Sequence, residues 1–268
     1  MKSPRRQELT SPHNPLLRAL RRALREGELA EDASFGVEGP HLVEEALRSP
    51  VEVTVLIAAR SAEARLMKIE ALADGRLRSY VVPDRVFRSL SDTETPQGVA
   101  ALVRLPARKL GDCLAEPRAL VIVLVGVQDP GNLGTILRSL EAFGGSACLL
   151  TPGTVSPFNS KAVRASAGAL FRVPVFRGLR LEEILGQCRQ HGLQAIGLAP
   201  RAKRQLDQTD LRRPVALFIG QEGSGLPSET LKKLDGTAEI PLAAPVESLN
   251  AAMAATLALY EAARQRRS

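Results

Sequence analysis

The run ALVIVLVGV, Ala119 to Val127, constrains the fold of this chain more than any other stretch. It has no polar residue to turn toward water, so it predicts a strand buried on both faces, the type found in parallel sheets covered by helices on each side. The next segment is QDPGNLGTILRSLEAFG. Asp129-Pro130-Gly131 is turn chemistry, Asn132 is a candidate N-cap, and Gly144-Gly145 marks a helix end. Leu133, Ile136, Leu137 and Leu140 form one face of that helix, and Gly134, Arg138 and Glu141 another. SACLLT then reads as a strand and Asn159 to Leu170 as a helix carrying Lys161 and Arg164. VPVFR, a helix from Leu181 to His191, LQAIGLA and the strand from Val215 to Ile219 continue the alternation. The expected fold class is α/β, a parallel sheet with helices on both faces. By pattern alone it is Rossmann-like.

The stretch from Val215 to Asn250 gathers the elements of a ligand site. An apolar strand stops at Gly220, Gly223 and Gly225 follow, and a second short run ends near Leu242. Ser248 is the expected N-cap of a long alanine-rich helix, so two loops and a helix start converge. The glycine spacing does not fit a dinucleotide fingerprint, and no Lys-Ser/Thr pair follows as a phosphate loop requires. A tight turn between strand and helix is the plain alternative for this loop alone. The alanines at 251, 252, 254, 255 and 258 let another backbone approach closely, within the chain or across a dimer.

The first hundred residues read differently. Asn14-Pro15 opens an amphipathic helix with Leu16, Leu17, Leu20 and Leu24 on one side and Arg18, Arg21, Arg22 and Arg25 largely on the other, stopped by Gly27. From Ser34 to Pro106 short strands and helices alternate in a compact α/β pattern without catalytic equipment. The expected division is residues 1–30 as a basic extension with the amphipathic helix, 31–106 as a small α/β domain, 107–118 as a linker and 119–268 as the second domain. The formal charge is +7, and residues 1–25 hold seven basic side chains against one acid, Glu8. A polyanion, most simply nucleic acid, is drawn to such an end by screened attraction; a solvated basic tail is the alternative for residues 1–12.

The three cysteines are widely spaced and fit neither a disulfide framework nor a metal cluster, so reduced thiols and no metal are expected. No apolar run approaches the roughly 20 residues needed to span a bilayer, and the N-terminus lacks a signal-peptide core, which together give the expectation of a soluble, cytoplasmic protein with no membrane contact. Aromatic residues make up 3% of the chain with no Trp, so reading of single strands by stacked rings is disfavoured.

Three segments together go beyond what spacing yields. DPGNLGTILRSLEAFG, FIGQEGSGLP and IPLAAPVESLNAAMAA resemble, in order and separation, the three motifs of the SpoU or TrmH-like RNA ribose 2'-O-methyltransferases of the SPOUT class. The likeness extends to Lys161 through Ser166 and to FGVEGPHLVEEAL, which looks like the start of the family's small RNA-binding domain. The resemblance implies a C-terminal trefoil knot in place of an ordinary Rossmann fold, S-adenosylmethionine as cofactor, and a homodimer. It also implies a structured RNA substrate, ribosomal RNA of the large subunit first and tRNA second. It places Gly197, Leu198, Gly220, Glu222, Gly223, Ile240, Leu242, Ser248 and Leu249 around the cofactor, and Asn132, Arg138, Ser248 and Asn250 at the reacting nucleotide. Arg18, Arg21, Arg22, Arg25, Lys161 and Arg164 are the expected RNA contacts. Glu222 either holds loop amides or touches the ligand, with the structural role favoured.

Two other classes are open at this point: a non-catalytic RNA-binding or ribosome-assembly factor on the same fold, and the nucleotide-dependent oxidoreductase that the pattern alone favours. No His lies in the three motifs, and His13, His41 and His191 are scattered, so a histidine base is not expected. A guanidinium stays protonated in proteins, which makes Arg138 a phosphate ligand or an alkoxide stabiliser in preference to a base.

Overall fold

The computed structural model describes residues 7–73, 77–243 and 245–267. In chain order it begins β1 (Gln7–Glu8), α1 (Pro15–Arg25), β2 (Phe35–Glu38), α2 (Pro40–Arg48), β3 (Glu52–Ala59), α3 (Glu63–Glu70), β4 (Ser79–Val82), α4 (Asp84–Leu90) and β5 (Val99–Arg104). It continues α5 (Leu110–Leu114), β6 (Leu120–Leu124), α6 (Pro130–Ala142), β7 (Ala147–Leu150), α7 (Ser160–Ala165), β8 (Val175–Arg177), α8 (Leu181–Gln190), β9 (Gln194–Leu198), β10 (Val215–Ile219), α9 (Ser228–Leu231), β11 (Gly236–Ala238) and α10 (Ala251–Arg267). The chain divides into two compact units, residues 1–107 with 158–172, and 108–157 with 173–268.

The first unit is a five-stranded mixed sheet in the order β1-β4-β3-β5-β2. β5 runs antiparallel to β2 and β3, whereas β4 runs parallel to β1 and β3. Helix α1 is part of this domain and not an appended extension. Leu17, Leu20 and Leu24 are buried to within 1% exposure against β2. Gly36 makes the contact possible, because a Cβ there would lie 2.8 Å from the Ala23 carbonyl carbon and from Leu24. Asn14 caps α1 as its position predicts, its Oδ1 accepting from the Leu16 amide at 2.9 Å, and Gly27 ends the helix at φ +65°. The segment read as a possible tail also differs. Gln7 and Glu8 add an edge strand to β4, and the Leu9 amide continues the pairing onto the Val81 carbonyl at 3.0 Å. Residues 1–6, which carry Lys2, Arg5 and Arg6, lie outside the described residues.

The second unit is built on a six-stranded sheet, order β11-β9-β10-β6-β7-β8, in which every pairing is parallel. β6 is fully buried, as its composition demands. Register sets Val121 beside Ala216 and Val123 beside Phe218, on the face that packs with Ile184, Leu185 and Cys188 of α8. Helix α10 packs on α6 and β10. The stretch expected to be a linker is instead structural: α5 lies within it, and Cys113 and Leu114 belong to the same core. One cap assignment and one helix end change. Asp129 caps α6, accepting from the Asn132 amide at 2.8 Å, which leaves the Asn132 side chain available elsewhere. The helix expected over Asn159 to Leu170 stops at Ala165, since Ala167 (φ +48°) and Gly168 (φ +91°) reverse the chain into a 3-10 turn.

All three thiols are free and buried, and burial pushes the Cys148 and Cys188 thiols up, the latter to about 11. No helix among the described residues is long and apolar enough to cross a membrane. The packing of α1 on β2 gives a direct test. Gly36→Ala should lower unfolding stability by about 2 kcal/mol through overpacking, read by urea denaturation of the full chain.

Candidate active site

Because the second sheet is entirely parallel, the carboxyl ends of β6, β10, β9 and β11 line up along one edge, where open α/β sheets bind ligands. Gly197 and Leu198 close β9, Gly220 follows β10, and Ile240 follows β11. The Ala199 amide donates to Ala238 at 3.1 Å, and the Glu239 amide to Arg204 at 3.0 Å, so the segments after β9 and β11 travel together.

The glycines there serve different ends. A Cβ on Gly220 would fall 2.0 Å from the Gly225 carbonyl carbon, because the loop folds back on itself through paired bonds between Gln221 and Gly225. A Cβ on Gly197 would meet Leu234 at 2.6 Å. These two are glycines for packing. Gly223 and Gly225 have positive φ, 82° and 69°, with open space where a side chain would sit. The far wall is exposed: Leu242 is 37% accessible, Ser248 is exposed and Leu249 is half-buried. Backbone groups at strand ends with apolar side chains around them suit an uncharged adenosine moiety. Among the described residues no group of three or more His, Cys, Asp or Glu is placed to hold a metal ion.

The most informative geometry is at Glu222. Its carboxylate accepts from the backbone amides of Gln128 at 3.1 Å and Asp129 at 3.3 Å, and from the Asn132 Nδ2 at 2.8 Å. The Asn132 Oδ1 in turn accepts from the Asn250 Nδ2 at 2.9 Å. Asn250, and not Ser248, caps α10; its Oδ1 accepts from the amides of Ala252 at 2.9 Å and Met253 at 3.3 Å. One residue from each of three distant sequence segments therefore meets in a single hydrogen-bonded chain. Burial raises the Glu222 pKa, but the bonds from Asn132, Gln128 and Asp129 outweigh it and hold the carboxyl below its ordinary value. Glu222 thus holds backbone amides, as favoured from sequence, although they belong to the loop after β6 and not to its own.

Arg138 lies outside this chain. It is exposed on α6, six residues past Asn132, or about 9 Å along the helix axis and roughly a third of a turn around it. Its helix is fixed by α10: Ser139 and Thr256 share a hydroxyl bond at 2.7 Å, and Phe143 meets Tyr260 edge-on at 5.7 Å. Gly126, missed in the sequence, is held by the Thr151 and Thr154 hydroxyls at 3.2 and 3.1 Å, which shapes the exit from β6. Two threonines after a strand carry no signal that would have singled them out.

In the first unit the basic residues divide. Arg21 donates to the Ser89 carbonyl and hydroxyl at 3.1 and 3.2 Å, and Arg25 to the Ser91 carbonyl at 2.9 Å, so both tie α1 to the end of α4. Arg18 is exposed, and Arg22 is exposed beside Glu28 at 3.8 Å. Lys161 is exposed on α7, while Arg164 is half-buried and faces Asp92 at 3.6 Å.

The carboxylate's role has a measurable sign. Its depressed pKa means that its stabilising contribution is present above the unfolded value, near 4.3, and is lost as pH falls through the folded value. Glu222→Gln should cost about 2 kcal/mol at neutral pH, and the gap from the unsubstituted protein should close as pH falls through the lowered pKa of the carboxyl, seen in unfolding curves at several pH values.

Comparison with known proteins identifies the family. The SpoU rRNA Methylase family model matches residues 119–260, and a model described as an MRM3-like substrate binding domain matches residues 14–101. Among curated relatives, a 23S rRNA (guanosine(2553)-2'-O)-methyltransferase, RlmP of Bacillus subtilis, is 32% identical over 95% of this chain and 98% of its own length. Among solved structures, an AdoMet-bound rRNA methyltransferase from Sinorhizobium meliloti superposes with TM-score 0.84 at 30% identity, covering 97% of this chain and 98% of that one. The SpoU methyltransferase AviRb from Streptomyces viridochromogenes, also with AdoMet, gives TM-score 0.84 at 26% identity over 96% of this chain and 99% of its own. With a family model over more than half its length and relatives matched nearly end to end, the chain belongs to the SpoU family of RNA methyltransferases.

Proposed function

We propose that this protein transfers a methyl group from S-adenosylmethionine to a ribose 2'-hydroxyl of large-subunit ribosomal RNA. The observation that carries the reading is the bonded chain Glu222–Asn132–Asn250, which unites all three motif segments beside the carboxyl edge of the sheet. A relative of nearly equal length that acts on 23S rRNA supports the substrate class. S-adenosylmethionine, when bound, supplies a methyl group on a sulfonium. Gly197, Leu198, Gly220, Gly223, Ile240, Leu242, Ser248 and Leu249 provide the backbone and apolar surroundings to hold it.

Transfer to oxygen needs an in-line approach and a ribose hydroxyl that can lose its proton. Asn132 and Asn250 orient the sugar through side-chain groups already fixed on one another. Glu222 acts as a positioning residue: it holds the Asn132 amide group and the start of α6. Arg138 is permanently charged, exposed and set on a helix braced by α10, so it can place its guanidinium against a phosphate or the developing alkoxide. Stabilising the alkoxide makes the hydroxyl more acidic, so that its proton can pass to solvent water without a histidine.

Finer features follow the same reading. The C-terminal segment is threaded as a trefoil knot. Support comes from the match to the SpoU family, which runs through residues 119–260 and takes in this segment. The protein works as a cytoplasmic homodimer without a metal. Val246, Met253, Leu257 and Tyr260 are 55%, 62%, 42% and 50% exposed on and beside α10, an apolar surface that a second copy would cover. The alanine stripe of α10 is already occupied within the chain, with Ala255, Ala258 and Ala262 fully buried. Residues 14–106 with Arg18, Arg22 and Lys161 grip folded RNA by shape and phosphate.

Arg138→Ala should abolish methyl transfer to unmodified large-subunit rRNA, by at least about 100-fold, while calorimetry shows S-adenosylmethionine affinity within about twofold. Loss of cofactor binding together with activity would refute the role assigned to Arg138. Millimolar S-adenosylmethionine should raise the unfolding temperature and NAD should not, which separates this reading from an oxidoreductase.

A further inference from the structure

Residues 158–172 follow β7 in sequence but pack with the first unit. Phe158 and Phe171 meet Phe35 of β2 with ring centroids 5.0 and 6.3 Å apart. Arg172 donates to Glu45 at 3.2 Å and to Ser49 at 2.8 Å. The Gly27 turn lies so close to Phe158 and Asn159 that a Cβ on it would sit 3.1 Å from their backbone atoms. The strap that bears Lys161 and Arg164 is therefore mounted on the RNA-binding domain.

One carboxylate in this mounting does more than hold the strap. Asp92 accepts from the Ser160 hydroxyl, at the first turn of α7, and faces the Arg164 Nη2 at 3.6 Å. The other Arg164 nitrogen, Nη1, is buried with no hydrogen-bond partner. Asp92 is itself fixed from behind. Glu38, 7% exposed, accepts from the Thr93 hydroxyl at 2.8 Å, the Asp92 amide at 3.3 Å and the Ser91 hydroxyl. A buried carboxylate thus fixes the loop, the loop fixes Asp92, and Asp92 orients a guanidinium one helical turn from Lys161. Asp92 and burial fix the inner part of the guanidinium while 36% of the Arg164 side chain remains exposed, and that accessible edge is suited to accepting a second anion.

We propose that Asp92 is a positioning residue for RNA recognition, aiming Arg164 so that the exposed edge of its side chain meets a phosphate of the substrate beside Lys161. Nothing about Asp92 is implied by the three motifs. The proposal rests on the methyltransferase reading for its substrate class, but not on catalysis. A structural role, in which Asp92 merely fastens the strap through Ser160, is the competing explanation.

The test uses the full chain and unmodified 23S rRNA transcript, with filter binding and methyl transfer measured side by side. Asp92→Asn should weaken RNA binding and raise KM by about tenfold, reduce the slope of log affinity against log salt by about one, and leave kcat and S-adenosylmethionine affinity within about twofold. Arg164→Ala should do the same, and the double variant should be no worse than either single one. Ser160→Ala, which removes the fastening bond but not the ion pair, should bind RNA as the unsubstituted protein does. Equal losses in Ser160→Ala and Asp92→Asn, multiplying losses in the double variant, or unchanged RNA affinity in Asp92→Asn would each overturn the proposal. If Asp92→Asn does not fold, Arg164→Lys decides: it should lose affinity, because a point charge does not reproduce the fork, and unchanged affinity overturns the inference. An unsubstituted protein that binds RNA but transfers no methyl group would refute the activity and leave these binding comparisons standing.

Discussion

The arrangement of the second unit depends on one carboxylate. Glu222 sits on the loop after β10, yet its bonds go to the amides that start the segment after β6 and to Asn132 on α6. Without an acceptor there, two backbone N–H groups and a side-chain amide would compete for water, and the two loops would have no reason to keep one spacing. A charged acceptor is suited to this task because bonds to an ionised group are about twice as strong as neutral ones. Asn132 carries the constraint onward to Asn250, and Asn250 caps α10 with its remaining oxygen. The order of that relay matters. Each amide side chain donates with its nitrogen and accepts with its oxygen, so the orientation of both is determined by the carboxylate at its end.

Helix α10 is the mechanical counterpart of this relay. It is tied at its start through Asn250 and at its end through Arg266 and Gln265, whose side chains reach the backbone at Arg118, Thr209, Leu211 and Arg213. Seventeen residues span about 25 Å, longer than the roughly 17 Å of a five-residue strand in the sheet. Along that length the helix presents fully buried alanines to α6 and β10, so the backbones approach closely and leave little room for sliding. Burial pushes the Arg266 guanidinium below its ordinary pKa, and its four backbone acceptors offset the cost of that burial.

The first unit uses its charges mostly on itself. Arg21 and Arg25 cap the end of α4, where carbonyls lack helical partners and the helix dipole favours a cation. Glu38 is buried among hydroxyls and an amide and shapes the loop that carries Asp92. A count of arginines on α1 overstates what is free for a partner, because a guanidinium on a short helix reaches a neighbouring backbone as easily as solvent.

The local signals that were legible were those whose physics is local. The apolar run at 119–127 holds a doubly covered strand, although it ends at Leu124 and Gly126 turns the chain at positive φ; Asn14-Pro15 opens a helix, and Gly27 and Gly144 mark reversals that need positive φ. The order of the three motif segments marked the family and the cofactor without any coordinates. Tertiary structure decided the rest. That Asp129 caps α6 and frees Asn132, that Asn250 replaces Ser248 as the cap of α10, and that Glu222 serves a loop more than ninety residues away depend on which strands are neighbours. So do the reassignment of residues 158–172 to the first unit and the inclusion of 110–114 in a core. A side chain's partner across a sheet is a property of strand order, and strand order is set by the packing of all the strands at once, which no spacing within one segment records.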